Sequence, residues 1–157
     1  MKIVLGSLIA IAAAASVAHA DTPCAATGDV AVEIDHDATA ASKLATSKVK
    51  LYDSGAWSFD ETTGDGKPGR KLTGCLAKAD LAKLAAVQAA PWTITHPRAH
   101  CMTVGQTSTA FHLKGKPDFV QKTCPSDLMD DKTTAALADL VKLTDAQVAA
   151  ATHPPRK

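Results

Sequence analysis

Apolar residues recur at every second position between Asp29 and Asp35, where Val30, Val32 and Ile34 alternate with Ala31, Glu33 and Asp35. A period of two is the pleat of a strand with one buried face, so a first strand is expected here. A second alternating run starts at Lys48-Val49-Lys50-Leu51-Tyr52, breaks at Ser54-Gly55 and resumes at Ala56-Trp57-Ser58-Phe59. Because a glycine inside such a pattern marks a bulge or an interruption, this run fits two short strands or one bulged strand. Three glycines and a proline between Thr62 and Gly69 predict a surface turn, after which Lys71 to Cys75 returns as a short strand.

The period then changes. Between Ala77 and Ala90, Leu81, Leu84, Ala85, Val87 and Gln88 follow helical spacing; Asp80 stands in the first turn, where the dipole favours a carboxylate, and Pro91 ends the run. Trp92 and Ile94 lead through an irregular link, Thr95 to Ala99, into Cys101-Met102-Thr103-Val104 and a strand from Thr107 to Leu113. Lys114-Gly115-Lys116-Pro117 turns the chain and Asp118 to Lys122 returns towards Cys124, which is the pattern of a hairpin. Within Asp130 to Leu143, Leu137, Leu140, Val141 and Thr144 continue an i, i+3, i+4, i+7 series and predict a second amphipathic helix. Strands, helix, hairpin, helix, with short links between the strands, predict an α+β fold: one antiparallel sheet of about four to five strands covered by one or two helices.

Composition changes this picture in one respect. Of 157 residues, 31 are alanine and six are aromatic, so the core is thin although 46% of the chain counts as hydrophobic. The formal charge of +1 gives no clustered basic surface for nucleic acid or an anionic membrane. No asparagine occurs, which excludes an N-glycosylation acceptor.

Lys2 is followed by uncharged residues from Ile3 to Ala18 and then by Ala18-His19-Ala20, the small-x-small pattern of a signal peptidase site. Residues 1–20 are therefore expected to be a signal peptide, 21–150 a single α+β domain and 151–157 a disordered tail, in a periplasmic or secreted protein that keeps no membrane attachment after cleavage. In an oxidising compartment Cys24, Cys75, Cys101 and Cys124 read as two disulfides. Four cysteines allow three pairings, of which Cys101 with Cys124 and Cys24 with Cys75 is the expected one: the first pair flanks the hairpin and the second ties the N-terminus to the entrance of a helix.

Several chemistries surface and fail on context. Gly64-Asp65-Gly66-Lys67-Pro68-Gly69 matches G-x-G-x-x-G, but no helix opens at those glycines to meet a pyrophosphate, so a hairpin turn is expected. A calcium loop over Asp60 to Leu72 fails because Leu72 occupies the place of the bidentate glutamate. His96 and His100, followed by Cys101 and Met102, hold the inventory of a metal site without a third assigned ligand. Glu33, Asp35, His36 and Asp37 read as a solvated strand end that discourages further pairing. No G-x-S-x-G or H-E-x-x-H occurs. No catalytic residue, metal or cofactor is assigned, although a triad assembled from distant residues is recognised by geometry and not by order.

Gly74-Cys75-Leu76, the helix ending at Ala90, Cys101-Met102-Thr103-Val104 and Thr123-Cys124 together resemble the Streptomyces-type subtilisin inhibitors over residues 75–124. Those exported proteins carry four cysteines, with one before an alanine- and leucine-rich helix, one after it and the last at the end of a hairpin. The resemblance implies protease contact at His100, Cys101, Met102, Thr103 and Val104. Function is accordingly expected to be that of an exported, disulfide-stabilised, non-enzymatic binding domain that contacts a secreted protease or another extracytoplasmic protein. The alternative is an exported metal- or small-ligand-binding protein using His96 and His100.

Overall fold

The computed structural model describes residues 24, 28–38, 45–96, 107–122 and 127–153. Four strands come first: β1 (Val30–Ala38), β2 (Thr46–Tyr52), β3 (Ala56–Thr62) and β4 (Pro68–Cys75). They are followed by α1 (Lys78–Ala89), the short β5 (Ile94–Thr95), β6 (Thr107–Leu113), β7 (Phe119–Lys122), the short β8 (Leu128–Met129) and α2 (Asp131–Thr152). The main sheet is antiparallel and has six strands in the order β4-β3-β2-β1-β6-β7, while β5 and β8 pair separately. The α+β class is as expected, but the sheet is larger than the four to five strands anticipated.

The interrupted second run is two strands. Gly55, at φ +81°, donates its N–H to the Tyr52 carbonyl at 2.9 Å and closes a tight turn that an L side chain would strain. The glycine-rich segment after Thr62 is likewise a hairpin turn, with the Gly66 N–H bonded to the Thr63 carbonyl.

The first strand corrects the reading of Glu33, Asp35, His36 and Asp37 as a strand end. β1 runs on to Ala38 and lies in the middle of the sheet, paired with β2 on one side and β6 on the other. Charge on this segment did not stop pairing because Glu33 and Asp35 meet compensating neighbours on the uncovered face. Lys48 Nζ lies 2.6 Å from Glu33 and 3.3 Å from Asp35, and Lys50 Nζ lies 3.5 Å from Glu33. Burial tends to raise the Glu33 carboxyl, yet the Lys48 hydrogen bond and the two lysine charges outweigh it and hold the group below its ordinary range. The array continues through Lys71 to Asp60 at 2.8 Å and through His112 Nδ1 to Asp118 at 2.9 Å.

Both helices cover the opposite face. Leu84 and Val87 of α1 and Leu137, Leu140 and Leu143 of α2 share one core with Val32, Ile34, Val49, Leu51, Trp57, Phe59, Phe111, Leu113 and Phe119. Each such side chain contributes about 1.5 to 3 kcal/mol by leaving water. α2 begins where Asp130 accepts the Thr133 N–H at 2.9 Å, a side-chain cap on the first turn. It extends beyond the expected end at Leu143 to Thr152, two residues into the segment read as a disordered tail. Apolar periodicity thins after Thr144, but Ala146, Gln147 and Ala149 to Ala151 are good helix formers, so propensity carries the helix on. Cys24 and Cys75 form a disulfide with a Cα–Cα distance of 5.7 Å, as expected, and no cysteine among the described residues is free. Cys101 and Cys124 lie outside the described residues. No helix among those residues is long and apolar enough to cross a membrane.

Candidate functional site

Strand register arranges the helix-covered face in rows. Trp57, Leu51, Val32 and Leu113 align in one; Leu72, Phe59, Val49, Ile34, Phe111 and Phe119 align in the next. Two residues further along each strand the same face turns polar: Glu61, Ser47, His36, Thr109 and Gln121 form a third row. Polar side chains on a covered face cost free energy unless they are bonded, so the partners of this row are informative.

At one end Glu61 holds Arg70 in a fork, with Nε to one carboxylate oxygen and Nη2 to the other, each at 2.8 Å. That pairing holds the Glu61 carboxyl down at about 2, chiefly through the hydrogen bond from Arg70. The guanidinium also stands 5.5 Å from the Phe59 ring centre, and its Nη1 donates to Thr152 Oγ1 at 3.3 Å. Arg70 thereby links the edge strand β4 to the last turn of α2. In the middle of the row, His36 Nδ1 lies 3.1 Å from Thr109 Oγ1. Its Nε2 is buried and has no hydrogen-bond partner among the described residues.

A cavity of about 280 Å³ lies where this row meets the last turns of α2. Val49, Phe59 and Val148 give it apolar walls; His36, Ser47, Arg70, Asp145 and Thr152 supply polar groups. Serine, histidine and aspartate thus border one hollow, the inventory of a non-sequential triad. No hydrogen bond among the described residues joins His36 to Ser47 or Asp145, and the ring's observed partner is Thr109. Among the described residues, no relay runs from carboxylate through imidazole to hydroxyl.

Of the residues singled out in the sequence, His100, Cys101, Met102, Thr103 and Val104 lie outside the described residues. His96 is described: its Nδ1 lies 2.5 Å from Asp127 Oδ1 on an exposed surface beside the β5–β8 pair. No group of three metal-ligating side chains occurs among the described residues. His36, Ser47, Arg70 and Asp145 were not foreseen as a site. The alternation Val32, Ile34, His36 on one strand and Ser47, Val49, Leu51 on the next held the signal, since each puts a polar residue on the inward side.

Comparison with protein-family models, curated proteins and solved structures finds no match to this chain.

Proposed function

We propose that the chain is an exported, disulfide-braced, non-enzymatic binding domain whose cavity beneath α2 takes a small amphipathic ligand. The observation that carries this reading is the hollow itself, where His36, Ser47, Arg70 and Asp145 converge on walls formed by Val49, Phe59 and Val148. Apolar walls with a few converging polar groups are the usual build of a small-molecule site. The Cys24–Cys75 disulfide supports export, since such cross-links persist in oxidising compartments. The test is an amide-shift NMR screen of small amphipathic molecules of mixed charge. Hits should move Ser47, Val49 and Val148 saturably, and Ala149→Trp, which fills the cavity from an exposed helix position, should abolish those shifts. No saturable shift at millimolar ligand would overturn the reading.

A second reading, contact with a secreted protease or another exported protein, draws on a different place. Leu128 is 44% exposed beside a hollow of about 370 Å³ bordered by Phe119, Met129 and Leu137. Its strand, β8, pairs with β5, and β5 and β6 flank the segment that holds His100, Met102, Thr103 and Val104. A rigid anchor reduces the ordering cost of association. An assay of secreted proteases with excess protein tests this, and absence of inhibition at micromolar concentration removes the inhibitor form of it.

A further inference from the structure

We infer that the ligand of the cavity beneath α2 carries a protonated amine on a small apolar body; this rests on the cavity being the binding site proposed above. The first observation is how charge is distributed on the wall. Among the described residues of the wall, Arg70 is the one Lys or Arg side chain, and its fork with Glu61 offsets its charge; His36 and His153 are the imidazoles that border the same space. Asp145, an exposed residue at the cavity rim, forms no salt bridge among the described residues.

The second observation is independent of any side-chain charge. α2 ends at this cavity, where Ala149, Thr152 and the capping residue His153 border it, and its last turn contains no Lys or Arg. The C-terminal end of a helix carries a partial negative charge from carbonyls without intrahelical partners. Arg70 reaches that end through Thr152 Oγ1, but it arrives already paired. Both features attract a cation and repel a carboxylate or phosphate.

Hydrogen-bond capacity agrees. An ammonium group offers three donors and no acceptor. Asp145 can accept, as can the Ser47 hydroxyl. The body of the ligand follows from Val49, Phe59 and Val148, and its size from a volume at the lower limit of the usual ~300 to 1,000 Å³ for ligand pockets.

Amide-shift titrations of the whole disulfide-bonded protein with n-hexylamine, 1-hexanol and hexanoate separate the possibilities. The amine should bind about tenfold more tightly than either of the others, and Asp145→Asn, a change at an exposed position, should weaken it about tenfold while leaving hexanol unaffected. Equal binding of hexanol and hexylamine, or indifference to Asp145→Asn, would overturn the amine assignment and leave the cavity standing as a site. Tighter binding of hexanoate would overturn it as well. If none of the three binds, the amine assignment falls, and hits from the wider screen decide separately whether the cavity is a site.

Discussion

The indole N–H of Trp92 donates to the carbonyl of Pro117 at 2.8 Å and does so from a left-handed backbone, φ +57°. This bond joins the exit of α1 to the β6–β7 turn, and the ring meets Phe119 edge to face with centroids 6.4 Å apart. A left-handed non-glycine residue costs roughly 1 to 2 kcal/mol, so the anchoring contacts must exceed that cost. Trp92→Phe keeps an aromatic ring but removes the donor to the Pro117 carbonyl. The expected loss is about 0.5 to 1.5 kcal/mol, read as a lower urea midpoint at unchanged slope.

Gly74 and Trp57 face each other across β3 and β4, and a Cβ on Gly74 would stand 2.6 Å from the indole. Trp57 is buried in the core, so it has little room to withdraw. Gly74→Ala should therefore destabilise by about 1 to 3 kcal/mol through overpacking, whereas Gly66→Ala meets no neighbour within 4 Å and is strained only through its positive φ. Thermal melts of the two variants give the comparison.

The Cys24–Cys75 bridge closes a separation of 51 residues. Chain entropy for such a loop gives about 4 kcal/mol, a large share of the stability of a domain with a thin core. The Cys24→Ser, Cys75→Ser double variant should lose stability of that order. Mass analysis of the unreduced protein should find no free thiol; two would contradict the expected partnership of Cys101 and Cys124.

Acid should loosen the β3–β4 edge. The Glu61 carboxyl is held at about 2 in the fold, chiefly by its hydrogen bond from Arg70, against an ordinary value of 4.5. A depressed carboxylate contributes stability that is present above the unfolded value and lost as pH falls through the folded one. The loss therefore falls between about 4.5 and about 2. Urea unfolding measured across that window should show Glu61→Gln losing less stability than the parent. Equal slopes would show that the fork contributes nothing measurable.

Strands and helices were legible where periodicity and burial coincide: Val32 and Ile34, Leu84 and Val87, Leu137 and Leu140 all occupy the buried positions that their spacing implies. Two kinds of feature were not. Asp35, His36 and Asp37 read as a strand end because charge usually discourages pairing, but Lys48 on the neighbouring strand compensates Asp35, and such a cross-strand partner is set by register. The polar row was hidden for the same reason: Glu61, Ser47, His36 and Thr109 are far apart in the chain and align only once four strands are paired. Asp145 and Thr152 add a further requirement, since α2 had to run past Leu143 to bring them over that row.

The central claim is that the cavity beneath α2 is a ligand site with His36 on its wall. Imidazole nitrogen spectra test it most directly, because His112, on the uncovered face and bonded to Asp118, serves as an internal control. A hit from the amphipathic screen, at saturation, is predicted to shift the ring nitrogen resonances of His36 while those of His112 stay where they were. A His36 ring that does not respond at saturation, or one that moves no more than His112, would contradict the account.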